Sequence, residues 1–73
     1  MNPLHPKKLL LTKWTAVTPQ NREKHFVVRR VGQPDEPGGK IPWVELEAVH
    51  SGRCQRIDWR ALRDTQVWRQ GWV

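Results

Sequence analysis

The apolar positions of this chain recur with the period of a strand rather than that of a helix. His25-Phe26-Val27-Val28-Arg29-Arg30-Val31 is rich in β-branched and aromatic residues and reads as a strand. Residues 41–50 and 53–59 read as two more, joined by a tight hairpin turn at Ser51-Gly52. Upstream, residues 9–18 are apolar and β-branched; they predict a strand over residues 12–18, closed by the turn signal Pro19-Gln20-Asn21. Arg60-Ala61-Leu62-Arg63 predicts a short helical turn near residues 60–64, which Asp58 is placed to cap. Residues 67–73 predict a short last strand. Residues 32–40 hold three Gly, two Pro and two acids with no apolar residue, and read as a loop.

The same pattern predicts a register. A two-residue turn at Ser51-Gly52 sets Leu46 opposite Ile57, Val44 opposite Trp59 and Glu47 opposite Arg56. Pairing Val31 with Ile41 across the long loop adds Phe26 and Val28 to the same apolar face. The other face then carries His25, Arg29, Trp43, Glu45, Glu47, Arg56 and Asp58. Side chains alternate along a strand, so a slip of one residue destroys this sorting. An apolar sheet face must be covered, and both the first strand and the C-terminal segment are available for it. The expected fold is therefore all-β: a small SH3-like barrel of about five antiparallel strands, with an open meander sheet backed by the tail as the alternative. Residues 1–8, basic and holding Pro3 and Pro6, read as a flexible tail, and residues 9–73 as one small β domain.

Size changes the picture in one respect. A chain of 73 residues forms one domain, and one of ~60 residues buries only about 60% of its unfolded surface. Disulfides, a metal or large core side chains usually make up the difference. Cys54 is the only cysteine, which excludes an internal disulfide, while five Trp with one Phe and no Tyr point to large core side chains. Each buried Trp removes on the order of 200 Å² from water, about 5 kcal/mol at ~25 cal/mol per Å² as an upper bound. The longest apolar run, Leu9-Leu10-Leu11, is far short of the ~20 residues a membrane span needs. The first eight residues hold two prolines and no apolar h-region, so no secretory signal is visible.

Candidate chemistry narrows further. Cys54, His50 and Asp58 lie on one hairpin, but strand parity puts Cys54 and Asp58 on one face and His50 on the other. A nucleophilic Cys–His couple needs hydrogen-bond reach, so none is expected. His5, His25, His50 and Cys54 are spaced irregularly, unlike the paired ligands of a structural zinc site. Glu45-x-Glu47 and Asp58 have Arg29, Arg56 and Arg60 close by, which reads as a salt-linked face rather than an acid–base pair. No phosphate-binding glycine loop is present. The expectation is a non-enzymatic protein with no catalytic residues, no metal and no cofactor.

Charge is the strongest functional signal. Thirteen Lys and Arg against seven Asp and Glu give a net charge of +6 with the three His neutral. The basic residues run the length of the chain, with Trp14, Trp43, Trp68 and Trp72 interleaved. Proteins that bind single strands combine positive grooves with stacking aromatics. The candidate nucleic-acid interface is Arg29, Arg30, Lys40, Arg53, Arg56 and Arg60 on phosphates and Trp43 as a stacking ring, with Trp14 or Trp72 as a second. The expected function is weak nucleic-acid binding, RNA before duplex DNA, by a monomer that makes no membrane contact. The alternative is a protein–protein or peptide interaction module, gripping an extended or cationic ligand with exposed Trp beside Glu45, Glu47 and Asp58.

One resemblance spans nearly all of the chain after Pro6. It rests on Lys8-Leu9-Leu10-Leu11-Thr12-Lys13-Trp14-Thr15-Ala16-Val17, on Glu23-Lys24-His25-Phe26-Val27-Val28 and on Glu45-Leu46-Glu47-Ala48-Val49. Asp58-Trp59-Arg60-Ala61-Leu62-Arg63-Asp64 and the closing Trp68-Arg69-Gln70-Gly71-Trp72 complete it. Together these segments resemble a family of small tryptophan-rich bacterial proteins classed as a domain of unknown function. The resemblance implies a bacterial, cytoplasmic, stand-alone domain and brings no activity, ligand or catalytic residue with it.

Overall fold

The computed structural model of the chain describes residues 4–5, 8–34, 39 and 41–73. Five strands form: β1 (Lys13–Gln20), β2 (Glu23–Val31), β3 (Val44–Ala48), β4 (Cys54–Ile57) and β5 (Trp68–Gln70). A 3-10 turn over Trp59–Arg63 precedes β5, and Asp58 caps it by accepting the Arg60 N–H at 2.9 Å. The strands make one antiparallel sheet in the order β4-β3-β2-β1-β5. The all-β class and the five antiparallel strands are as the pattern predicts. The closed barrel is not: among the described residues the sheet is open, with β4 and β5 as its edges. Both edge strands are short, and Trp59 and Leu62 from the intervening turn pack into the core instead of a β4–β5 ladder.

The inner face is built by alternation. Trp14 on β1, Phe26 and Val28 on β2, Val44, Leu46 and Ala48 on β3 and Trp68 on β5 are all buried, with Leu9, Trp59 and Leu62 completing the core. Phe26 and Trp68 meet edge to face, centroids 5.2 Å apart at 89°, the arrangement the ring quadrupoles favour. Trp14 is 1% exposed and its Nε1 donates to Thr12 Oγ1 at 2.9 Å. Three of the tryptophans, Trp14, Trp59 and Trp68, are thus core residues. Leu4 and Ile41 pack against the same core, and Lys8 N donates to His5 O at 2.8 Å. Of the expected tail, residues 1–3, 6 and 7 lie outside the described residues.

Both expected registers are corrected while the faces survive. Ile57 lies opposite Val44 rather than Leu46, and Glu47 opposite Cys54 rather than Arg56. The connection is four residues long, 49–52, closed by Ala48 N to Arg53 O at 2.8 Å. Ser51 and Arg53 both bond the Glu23 carboxylate on β2, which anchors this longer turn. The shift is by two positions, an even number, so no side chain changes face. On the other side Val31 pairs with Val44, not with Ile41, and a bulge lies between Val28 and Arg30. The β1–β2 turn is Asn21-Arg22, beyond the expected Pro19-Gln20-Asn21, with both residues at positive φ (54° and 61°). Pro19 has no N–H to donate, and the β1–β2 ladder is irregular between Thr15 and Gln20.

Candidate nucleic-acid interface

The outer face of the sheet has two unlike halves. Over β2–β4, the bulge at Arg29 lets Arg29 and Arg30 leave from the same side. Arg30 lies opposite Glu45, and Glu45 opposite Arg56. Arg29 Nε meets Glu47 Oε2 at 2.9 Å and Arg56 Nε meets Glu45 Oε2 at 3.5 Å. The Trp43 ring, just before β3, carries the Arg56 guanidinium, with Cζ 4.1 Å from its centroid. Gly32 is packed against the same indole. A Cβ there would lie 2.8 Å from Trp43 Cε2 and 2.9 Å from Cδ2. These two atoms are shared by the fused rings and can be approached so closely only through a face. One face has no room for both neighbours, so Gly32 and Arg56 hold opposite sides of Trp43. A base stacks on Trp43 only after Arg56 swings away.

Arg53 and Arg60 lie elsewhere. Arg53 Nε reaches both oxygens of Glu23, at 3.2 and 3.1 Å, and Ser51 Oγ donates to the same carboxylate. Glu23 is 3% exposed. Hydrogen bonds from Arg53 and then Ser51 hold its carboxyl down from the usual 4.5 to about 2, against the opposing effect of burial. The pair locks the β1–β2 hairpin to the turn before β4. Arg60 and Arg63 cover the Trp59 ring at 5.3 and 4.9 Å, while Arg60 also meets Asp58 at 3.4 Å. Trp59 Nε1 is buried without a hydrogen-bond partner among the described residues. Lys40 lies outside the described residues. The fold therefore gathers Arg29, Arg30, Trp43 and Arg56 and disperses Arg53 and Arg60. Trp14, buried, offers no face to a base.

Over β5–β1–β2 the groove in the outer face is lined by cations without acidic side chains among the described residues, and Val73 O, which lies there, is 3.0 Å from His25 Nε2. Gly71, at φ +81°, turns the chain out of β5 in a conformation a Cβ disfavours. Residues 71–73 then cross the sheet as a strap. Thr15 Oγ1 donates to Gly71 O at 2.7 Å and accepts Val73 N at 3.1 Å. Trp72 Nε1 donates to Phe26 O at 2.9 Å. The Trp72 ring, 43% exposed, has Lys13 Nζ 4.7 Å from its centroid and His25 stacked at 5.9 Å and 27°. Beside it runs a groove of about 450 Å³ lined by Thr15, Val17, Lys24, Thr65, Arg69 and Val73, with no carboxylate side chain.

Lys13, Lys24 and Arg69 are cations of this face that sequence reasoning left out of the candidate interface. The alternation Lys13-x-Thr15-x-Val17 already sets Lys13 apart from the core-facing Trp14. What no local signal shows is β5 docking on β1, which lines up Arg69, Thr15 and His25 across three strands. Among the described residues, no group of three or more His, Cys, Asp or Glu is placed to hold a metal, and no helix is long and apolar enough to cross a membrane.

Residues 12–73 match the model of a family described as tryptophan-rich protein (DUF2389), a span that contains every strand of the sheet and the strap. No curated protein and no solved structure matches the chain.

Proposed function

This chain belongs to the tryptophan-rich DUF2389 family, whose function is unknown, and on the chemistry of its outer face we propose that it is a small, non-enzymatic domain that binds single-stranded nucleic acid, RNA above all. One observation carries the reading. Lys13 and His25 flank a half-exposed Trp72, and Lys24 and Arg69 line the adjoining groove with no carboxylate side chain among its lining. A base reaches the Trp72 ring by displacing Lys13 or His25 from it, and stacking on an aromatic side chain contributes about 1–3 kcal/mol per base. The neighbouring cations meet the backbone phosphates. Arg29 and Arg56 contribute less to phosphate attraction, because Glu47 and Glu45 already neutralise them. The Trp43–Arg56 stack is a second, conditional site on the same face. The broad face of a five-stranded sheet favours single strands over duplex DNA, whose major groove takes a helix or a narrow ribbon.

Lys13, Lys24, Arg30 and Arg69 make no ion pair among the described residues. If each meets one phosphate of a single strand, log affinity falls with log salt at a slope of about −3. Titrating the protein with a mixed-sequence RNA oligomer at two salt concentrations, read by Trp fluorescence, tests this. Quenching that weakens sharply with salt, and is reduced by Lys24→Ala with Arg69→Ala, supports the proposal; a folded protein with no response at either salt refutes it. The surrounding reading is a cytoplasmic monomer whose strand order, with a helical turn before the last strand, is SH3-like but open between β4 and β5. A peptide-interaction role is the second reading, favoured by the exposed Leu10-Leu11 turn.

A further inference from the structure

Leu9-Leu10-Leu11-Thr12 closes a turn in which Thr12 N donates to Leu9 O at 3.0 Å and Thr12 Oγ1 donates to the same carbonyl at 2.6 Å. Leu11 holds the third position at φ +64°, a place where Gly or Asn is usual. Its strain brings no burial: Leu10 is 55% exposed and Leu11 59%. Strained backbone of this kind clusters at active sites, ligand clamps and switch regions. Leu11 borders a pocket of about 450 Å³, with the buried Leu9 and Trp14 as its floor and Leu4 beside them. That volume lies in the range of ligand-binding clefts. Lys8 and Lys13 also line it, and no acidic side chain does. Neither lysine makes an ion pair among the described residues.

We infer that this pocket docks an acidic peptide segment of a partner protein, with a leucine- or phenylalanine-sized anchor held between carboxylates. The inference rests on the second, peptide-binding reading; it shares Lys13 with the nucleic-acid one, so its test turns on Lys8, Leu11 and Arg69, which the two sites do not share. Complementarity fixes the occupant. The apolar floor and Leu11 take the anchor, Lys8 and Lys13 take the flanking carboxylates, and the net charge of +6 draws the segment in. A nucleic-acid strand leaves the exposed leucines unused. A free fatty carboxylate fills the floor without reaching Leu10 on the far side of the turn.

The test uses the full chain and a labelled hexapeptide, Glu-Asp-Leu-Phe-Asp-Glu, followed by anisotropy, with a lysine-substituted counterpart and octanoate as competitors. The acidic peptide is expected to bind and the lysine peptide not to. Leu11→Asn and Lys8→Glu each weaken binding by about tenfold, the scale of losing one interface anchor. Arg69→Ala, on the proposed RNA groove, leaves peptide binding unchanged. Leu11→Asn should melt at or above the wild-type temperature, because Asn tolerates the left-handed conformation; this separates lost contact from lost fold. No binding of the acidic peptide, equal binding of its lysine counterpart, or full displacement by octanoate overturns the inference. RNA binding that persists when peptide binding fails leaves the nucleic-acid reading standing.

Discussion

Gly32→Ala tests the packing of Trp43 directly. The backbone of Gly32 lies outside the left-handed region, so alanine meets no conformational penalty there. Its Cβ, however, would lie 2.8 and 2.9 Å from the Trp43 ring and 3.0 Å from Pro42 Cγ. Carbon atoms prefer about 3.5–4.0 Å, so the ring must retreat by roughly 0.7 Å. It cannot do so freely. Arg56 sits 4.1 Å above the opposite face, and Gly32 N donates to Trp43 O at 2.8 Å, which ties the two backbones together. Overpacking of this kind costs about 1–3 kcal/mol. Replacing glycine also removes freedom from the unfolded chain, which returns about 0.4–1 kcal/mol. The net expectation is about 1–2 kcal/mol of destabilisation, with a fall of about 4–8 °C in Tm per kcal/mol for a domain of ~60–100 residues. Urea unfolding followed by fluorescence measures it, run as a double-mutant cycle with Trp43→Ala. In the Trp43→Ala background the clash with the ring is gone, and Gly32→Ala should become neutral or stabilising by about 0.5 kcal/mol. A single variant as stable as the wild type, or an equal penalty in both backgrounds, refutes the sandwich of Trp43 between Gly32 and Arg56.

Other perturbations follow from particular residues. Arg22 sits at φ 61° in the second position of the two-residue β1–β2 turn, where glycine is the usual occupant. Arg22→Gly should therefore raise stability by about 1 kcal/mol, seen as a higher Tm; a lower one contradicts the turn geometry. Trp14→Phe should destabilise more than Trp59→Phe, by about 2 kcal/mol in urea unfolding. The first loses the bond to Thr12, while the second removes a buried donor that has no partner. Glu23 has a depressed carboxyl, so its contribution to stability is fully present above about pH 4.5 and is lost as pH falls towards about 2. Arg53→Ala removes the main cause of that depression, so the variant should be less stable at neutral pH and its loss of stability between about pH 4.5 and 2 should be smaller than in the wild type; an undiminished loss rules out the Arg53–Glu23 lock.

The distribution of carboxylates, more than the count of basic residues, shapes the functional reading. Arg29, Arg53, Arg56 and Arg60 each lie within 4 Å of an acid, as their contacts of 2.9, 2.5, 3.5 and 3.4 Å show. Such groups have already exchanged solvent counterions for a protein partner, and they release fewer on binding a phosphate. The cations that retain full attraction belong mainly to β1, β2 and β5, beside Trp72. This moves the centre of the proposed interface from Trp43 to the strap.

Much of the architecture was legible locally. Alternation along His25-Phe26-Val27-Val28 and Val44-Glu45-Leu46-Glu47 separates core from surface with period two, because a pleated strand turns successive side chains to opposite faces. That rule needs only nearest neighbours, so the inner and outer faces, the Asp58 cap and the 3-10 turn could be read from the sequence alone. Register needs more, since it depends on how many residues each turn consumes. The pull of Glu23 on Ser51 and Arg53 lengthened one turn, and the bulge at Arg29 shifted the other pairing. The candidate site needed more still. Whether an arginine is available to a ligand depends on which carboxylate the sheet brings within 4 Å, and whether a tryptophan is a platform depends on what lies on each of its faces. Both are decided by residues distant in sequence, as when β5 docks on β1 and the strap carries Trp72 back over Lys13 and His25. Short-range sterics specify the strands and their two faces from local composition, whereas partners, closure and exposure are set by through-space energies between segments that the chain order does not bring together.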